Sequence, residues 1–226
     1  MRHHFDFGPD RAVVGEDLVR PEAWDALRTR TDGAFSVAGS REELERTADG
    51  RPEIGERARA INRWLEQRGV DALASYGVGG GVLEAWLLRS RPGQPLALTD
   101  YGPETVERLR MLFPEGEVVR HNLLRDAPLD AEAHLFHRVD TELTDDQWHG
   151  VLRRFADVTI LVVATEVATP RRLGQELLLR ARSRHLTRAG WLRTHGSFEA
   201  LWRGTHDAQA LRLHDLDGWA LTPRAA

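Results

Sequence analysis

The 226-residue sequence contains no cysteine, which excludes disulfide bonds, thiolate metal sites and a cysteine nucleophile. It also contains no lysine, since all 31 basic residues are arginine, so a Schiff-base lysine and a P-loop lysine are excluded as well. No apolar run approaches the roughly 18 residues that a membrane span needs. No charged and then apolar signal sequence opens the chain. We therefore expect a cytoplasmic protein without a membrane partner.

The charge balance argues against a nucleic-acid partner. The formal net charge is −4, and no basic tail is visible. A protein that binds nucleic acid usually presents a basic face. The densest basic stretch, from Arg171 to Arg184, falls on a predicted helix and is typical of a solvated helix face. We expect no nucleic acid among the partners of this chain.

A metal site is not expected either. His134 and His137 stand three residues apart in a segment that reads as a strand, so they point to opposite faces of the sheet. The metal-binding motif His-Glu-x-x-His is absent. The sequence therefore predicts no bound metal.

Strand and helix patterns alternate over most of the chain. Short apolar runs predict strands, and 3.6-residue periodicity predicts the helices between them. The predicted strands are 71–76, 95–100, 117–120, 133–139 and 158–164, and the predicted helices are 81–90, 103–113, 145–155 and about 171–187. This alternation predicts an α/β fold with a doubly wound, mostly parallel sheet.

Both ends of the chain depart from this pattern. Two strand-like segments, 198–202 and 210–213 or beyond, flank a turn at 204–207 and predict a C-terminal antiparallel hairpin, which brings the sheet to seven strands. Residues 1–55 are predicted to form an N-terminal helical cap or lid, and residues 56–226 the ligand-binding domain. Phe5 and Phe7 either fold over the site or belong to a disordered tip.

The most informative motif is a glycine loop after the first strand of the sheet. Gly77, Gly79 and Gly81 follow a buried strand and precede a helix, and the next strand ends in Asp100. Glycine lets the backbone approach a ligand closely, and an acid about 20 residues later is placed for ribose hydroxyls. A dinucleotide fingerprint would need a third glycine where Val82 stands. The alternative is a tight turn that binds nothing.

Together these residues resemble the class I S-adenosylmethionine (SAM)-dependent methyltransferases over about residues 55–222. The resemblance implies SAM as cofactor, S-adenosylhomocysteine (SAH) as product, and a Rossmann-like fold. The cofactor-binding residues that it implies are Ser75, Tyr76, Gly77, Gly79, Gly81, Asp100, Tyr101, Asn122, Leu123 and His137. Two departures stand out. Ser75 replaces an acid that many members carry in the first strand, and Asn122 replaces an aspartate beside the adenine.

Three residues are candidates for catalysis. His137 ends the fourth predicted strand, where the substrate is expected, and is either a general base or a packed histidine. Asp140, in the loop that follows, either orients a base or caps the next helix. His195 lies in the link to the hairpin and is a further residue that can face the pocket.

We interpret the sequence as a SAM-dependent methyltransferase that acts on an oxygen or nitrogen atom of a small molecule. A specialised metabolite is a hypothesis that rests on the arginine-only composition. Three alternatives stay open: use of SAM for a cyclisation or rearrangement, a non-catalytic partner protein, and an NAD(P)-dependent oxidoreductase. The cap and the hairpin are both surfaces through which a homodimer could form, and the sequence does not choose between them.

Overall fold

The computed structural model describes residues 1–16, 21–30, 35–183 and 186–224. These residues form nine strands: β1 (Arg2–Phe5), β2 (Leu73–Tyr76), β3 (Leu96–Asp100), β4 (Glu117–Arg120), β5 (Ala133–His137), β6 (Thr159–Val163), β7 (Thr187–Trp191), β8 (His206–Leu213) and β9 (Leu216–Pro223). Seven of them make one sheet in the order β4-β3-β2-β5-β6-β9-β8. The pairs from β4 to β6 are parallel, and β9 runs antiparallel to both β6 and β8. The predicted doubly wound, mostly parallel sheet with a C-terminal hairpin is confirmed.

Helices cover both faces of this sheet. The described residues form α1 (Arg11–Val14), α2 (Pro21–Thr29), α3 (Arg41–Asp49), α4 (Pro52–Arg68), α5 (Val82–Ser90), α6 (Pro103–Leu112), α7 (Asp145–Arg154), α8 (Pro170–Arg182) and α9 (His195–Trp202). One buried cluster joins α3 to α6 to the sheet, and a second joins α7 and α9 to the opposite face. Every residue of β2 and β3 is buried, as expected for strands covered on both sides.

The C-terminal hairpin lies later in the chain than predicted. The segment 198–202 is not a strand but the end of α9, and the hairpin consists of β8 and β9. Phe198, Leu201 and Trp202 are all buried, which is the i, i+3, i+4 spacing of a helix face. The Thr194 side chain accepts a hydrogen bond from the Ser197 N–H and caps that helix. An apolar run this short does not distinguish helix from strand by itself.

The N-terminus enters a second, small sheet that the sequence did not indicate. β1 pairs antiparallel with β7, beyond the end of α8. Glu176 of α8, which is fully buried, accepts hydrogen bonds from the His4 backbone N–H and from the His4 ring. The helix predicted to reach residue 187 ends at Arg182, and residues 184 and 185 lie outside the described part of the chain.

The helical cap proposed for residues 1–55 stays a prediction. Within its described ranges it holds β1 and α1 to α3, while its residues 17–20 and 31–34 lie outside them. The proposed boundary falls inside α4, which begins at Pro52. Across the described ranges, no helix combines the length and the apolar character that a bilayer crossing needs.

We expect a methyl group at Gly81 to destabilise the fold far more than one at Gly80. Gly81 caps α5 with φ +74°, and an added Cβ would stand 2.7 Å from the Phe113 ring, whereas at Gly80 it would meet no atom within 4 Å. Gly81→Ala should therefore lower the free energy of unfolding by about 1–3 kcal/mol. Gly80→Ala is the matched control, and urea denaturation measures both. Equal stability of the two variants would contradict this packing.

Candidate functional site

The glycine loop joins β2 to α5 at the carboxyl edge of the parallel strands. Gly77, Gly79 and Gly81 all have positive φ, at 68°, 61° and 74°. A Cβ on Gly77 would stand 2.6 Å from Val139, so Gly77, like Gly81, is required by packing. A Cβ on Gly79 would instead meet the Arg28 guanidinium at 3.3 Å. Gly79 is thus the glycine whose free face opens towards a polar site.

Asp100 ties this loop to the tip of β3. Its carboxylate is buried and accepts hydrogen bonds from the Gly79 N–H at 3.1 Å and the Gly102 N–H at 3.0 Å. Arg28 completes the arrangement, since its Nη1 lies 2.8 Å from Oδ2 of Asp100. The predicted acid and the predicted glycine loop therefore meet in one place, with an arginine of the N-terminal region between them and solvent.

Helix α2 carries Arg28 and is fixed across the mouth of the site. Asp25 accepts hydrogen bonds from the backbone N–H and the hydroxyl of Thr105, at the start of α6. Arg108 of α6 donates to the Arg28 carbonyl oxygen. The Trp24 ring lies 5.2 Å from the Arg28 guanidinium carbon. Residues 1–55 thus supply part of the site wall.

Two connected cavities flank Arg28, and we call them the inner and the outer cavity. The inner cavity, of about 150 Å³, lies over the ends of β2 to β4 and is lined by Tyr76, Thr99, Tyr101, His121, Asn122 and Leu123, among others. The outer cavity, of about 320 Å³, runs along the glycine loop and is lined by Arg51, Arg57, Glu84, His137, Arg138 and Thr165, among others. Trp24, Arg28, Gly77 and Glu142 line both. A larger groove of about 770 Å³ opens outside Tyr101 and does not reach the glycine loop.

The hydroxyl group of Ser75 is not free to face a cavity. It is fully buried, and its Oγ donates to Oε1 of Glu84 at 2.7 Å. Glu84 projects from the first turn of α5 into the outer cavity wall. Burial raises the pKa of Glu84 to about 7. A buried acid therefore lies in the first turn of α5, directly after the glycine loop. Sequence reasoning missed it, although its place in that first turn was visible.

The inner cavity holds a buried ring nitrogen without a partner. His121 is buried, its Nε2 lies 2.9 Å from the Ala127 carbonyl oxygen, and its Nδ1 has no hydrogen-bond partner within the described ranges. Since a carbonyl only accepts, Nε2 carries the proton and Nδ1 is a bare acceptor. The Oδ1 atom of Asn122, in contrast, accepts from the Leu124 N–H at 3.0 Å. The amide oxygen that sequence reasoning assigned to a ligand is thus used by the Asn122 turn itself.

The other predicted residues of this cavity differ in what they offer. The Tyr76 hydroxyl accepts from the Leu129 N–H and is joined to the His134 ring, so only the Tyr76 ring faces the cavity. Burial raises the pKa of Tyr76 to about 12. Tyr101 and Leu123 line the wall as predicted. Whether these residues bind a cofactor stays a prediction.

The predicted catalytic residues His137, at the end of β5, and Asp140, in the loop that follows, lie in different surroundings. His137 lines the outer cavity with an unpartnered, buried Nε2, and burial lowers its pKa to about 3. Asp140 points away into the protein, where it accepts from the backbone N–H and hydroxyl of Thr165. Burial raises the pKa of Asp140 to about 6. These hydrogen bonds connect the loop after β5 to the loop after β6 and do not orient His137.

His195 does not reach the site. It begins α9, its side chain is 56% exposed, and its ring contacts Trp219 and lies 3.8 Å from Asp217. It lines neither the inner nor the outer cavity. The expectation that the link to the hairpin faces the pocket failed because the hairpin lies further along the chain.

Glu142 is a second titratable residue, after Glu84, to which sequence reasoning gave no role. It lines both cavities, and its carboxyl group has no hydrogen-bond partner among the described residues. Burial raises its pKa to about 7, while Arg28 acts in the opposite direction. Arg193 fixes the loop around it, since it donates to the carbonyl oxygen of Asp140 and to the carboxylate of Asp145. Within the described ranges, no group of three or more potential ligands could hold a metal ion.

Glu84 makes the stability of the fold depend on pH. Because its pKa rises from 4.5 unfolded to about 7 folded, its contribution to stability is present below pH 4.5 and is lost as the pH rises through 7. Glu84→Gln should therefore gain about 3 kcal/mol relative to the parent between pH 4.5 and 8. Urea denaturation at each pH measures it, with exposed Glu66→Gln of α4 as control. Parallel curves for Glu84→Gln and the parent would contradict a buried neutral carboxyl.

Comparison with known proteins places this geometry in a known fold. The sequence matches no protein-family profile and no curated protein. Human N-acetylserotonin methyltransferase, solved in complex with SAM, is similar in structure with a TM-score of 0.62 and 18% identity over 82% of this chain and 57% of that chain. The mitomycin 7-O-methyltransferase gives a TM-score of 0.61 and 19% identity over 96% of this chain and 76% of that chain.

A third similar structure is an O-methyltransferase from neocarzinostatin biosynthesis, solved with SAM and 2-hydroxy-5-methyl naphthoic acid. Its TM-score is 0.55 with 20% identity over 69% of this chain and 50% of that chain. The chain thus spans only about half the length of this protein and 57% of the human enzyme. The strand order, the glycine loop and these likenesses together show that the chain has the class I SAM-dependent methyltransferase fold.

Proposed function

We propose that the chain is a SAM-dependent methyltransferase that methylates an oxygen atom of a small molecule. The observation that carries this proposal is the meeting of the Gly79 N–H, the Asp100 carboxylate and two connected cavities at the strand ends. Two of the similar solved structures are of O-methyltransferases, and one of these holds a hydroxylated naphthoic acid, which supports a small hydroxylated acceptor here.

The inner cavity suits the nucleoside part of SAM. An adenine amino group needs an acceptor, and the bare Nδ1 of His121 is one, buried and unpartnered. The hydroxyl of Thr99 is also buried there without a partner. Ribose hydroxyls would donate to Asp100, whose carboxylate Arg28 now holds. Because both need the same oxygens, the Arg28 side chain has to share or release Asp100 when the nucleoside binds.

The outer cavity suits the methionine part of SAM at its glycine-loop end. A charged ammonium group favours the ionised form of a nearby carboxyl group. Glu84 offers such a carboxyl group, with the Ser75 hydroxyl holding one of its oxygens. We therefore assign to Glu84 the contact that an acid in β2 makes elsewhere, and Ser75 positions it.

The chain's own contribution to the reaction is alignment, exclusion of water and a base. SAM, when bound, supplies an electrophilic methyl group on its sulfonium sulfur. Holding an acceptor oxygen in line with that methyl group contributes about 7–11 kcal/mol to lowering the barrier. Glu142 reaches both cavities and has a pKa near neutral, so its carboxylate can take the acceptor's proton. A histidine with a pKa of about 3, such as His137, is a much weaker base.

Calorimetric titration tests the ligand first. We expect the parent protein to bind SAM and SAH in the micromolar range and not to bind NADH. Asp100→Asn should weaken SAM binding by about tenfold or more, because a hydrogen bond to a charged group contributes about 1.5–3 kcal/mol. Asp71→Asn, an exposed acid before β2, is the matched control. Binding of NADH, or of neither SAM nor SAH, would refute the proposal, and conversion of a substrate without formation of SAH would indicate a rearrangement.

Glu142→Gln tests the base. SAH release is followed with a panel of phenols and hydroxy acids, and the acceptor with the highest turnover is used for the comparison. The rate of the parent should rise with pH through an apparent pKa of about 7, as Glu142 loses its proton. Glu142→Gln should lower kcat by about 10²–10⁴ and remove this rise. Exposed Asp146→Asn of α7 is the control. An unchanged pH profile in Glu142→Gln would assign the base to another group.

A further inference from the structure

Three arginine side chains gather on one wall of the outer cavity. Arg51 precedes α4, Arg57 lies in that helix, and Arg138 follows β5. Arg57 is buried, whereas Arg51 and Arg138 are exposed to solvent. The three are close enough to repel one another: partial desolvation lowers the pKa of Arg138, and the positive charges of Arg57 and Arg51 lower it further. Positive charges gathered in this way attract an anion into the cavity.

The chain itself balances only part of this charge. Asp215, in the turn between β8 and β9, accepts two hydrogen bonds from Arg57, both at 2.6 Å. Asp140 attracts Arg138 from a distance, but its carboxylate is bonded to Thr165. In the part of the chain that the structure describes, the guanidinium groups of Arg51 and Arg138 form no hydrogen bond or ion pair. The guanidinium groups of Arg51 and Arg138 are therefore available to an anion in the outer cavity.

The backbone at Arg138 is strained in a way that fits a binding role. Its φ is 61°, a conformation that non-glycine residues rarely adopt. Such residues cluster at ligand sites, because the surrounding structure must hold them in place. Its neighbour His137 lines the same cavity with a buried Nε2 that has no hydrogen-bond partner in the described part of the chain. Arg138 and His137 thus bring polar groups to one cavity.

The outer cavity also has apolar lining residues. Trp24, Phe35, Leu44 and Ile54 line it together with the arginines. A cavity of about 320 Å³ with aromatic and aliphatic side chains in its lining accommodates a small ring system. Glu142, the group placed to take a proton, lies between this cavity and the inner one.

We propose that the outer cavity selects acceptors that are small carboxylic acids with an aromatic body, and that Arg138 and Arg51 hold the carboxylate. A planar guanidinium matches a carboxylate with two parallel hydrogen bonds, which gives orientation as well as attraction. The carboxylate is the group that is recognised, while a hydroxyl group on the same molecule faces Glu142. This inference rests on the proposed function and names the substrate class of that same site.

Binding of salicylate and of its neutral amide, salicylamide, tests the inference without turnover. Calorimetry with the SAH-loaded protein should show salicylate binding at least about tenfold more tightly than salicylamide. Arg138→Gln and, on a different element, Arg51→Gln should each remove most of this preference. Arg63→Gln, an exposed arginine of α4 outside both cavities, makes the same change in net charge and should preserve it.

Three outcomes would overturn the inference while the proposed function stands. The first is equal binding of salicylate and salicylamide, and the second is binding of inorganic phosphate as tightly as salicylate. The third is an equal loss of affinity for SAM and for salicylate in Arg138→Gln. This third outcome would assign the arginines to the carboxylate of SAM. Failure of the proposed function has a different signature, since the parent protein would then bind neither SAM nor SAH.

Discussion

The carboxylate of Asp100 is the point on which the site depends. It is buried at the tip of β3 and has three donors: the backbone of the glycine loop, the backbone at the start of α6, and Arg28 of α2. A buried charge is costly unless it is paired and hydrogen-bonded. These bonds therefore fix three separate segments relative to one another. The same carboxylate is the group that a ribose would need, so stability and ligand binding share one interaction.

The sequence alone is sufficient to predict the parallel strands of the sheet. Strands β2 to β6 begin and end within two residues of the predicted bounds. All of them except the edge strand β4 are short apolar runs that are almost entirely buried. Runs that bury one side only are harder to assign. α9 was taken for a strand, and β1 for a lid or a disordered tip. The pairing of β1 with β7 joins residues about 185 positions apart, which no local pattern reveals.

The part of the site that the backbone topology determines was predictable from the sequence. The glycine loop and Asp100 meet because both follow parallel strands, and such strands end at one edge of the sheet. Side-chain roles were less predictable. Whether Asp140 faces the cavity or Thr165 depends on the course of the loop, and Glu84 and Glu142 stand out only once their burial is known. Sequence shows which acids exist, whereas packing determines which of them stay desolvated.

The two cavities differ in their electrostatics, and this difference has a chemical consequence. The inner cavity is bounded by rings, a bare histidine nitrogen and the paired Asp100, so it suits a neutral, flat group. The outer cavity carries arginines on one wall and Glu84 near the glycine loop. Glu142 stands at their junction with a pKa near neutral because burial opposes its charge. An anionic acceptor drawn to the arginines would arrive beside a carboxyl group whose ionisation burial opposes near neutral pH. The repulsion that a fully charged carboxylate would exert on an anion is thereby reduced, and the proposed base would accept a proton in its ionised form.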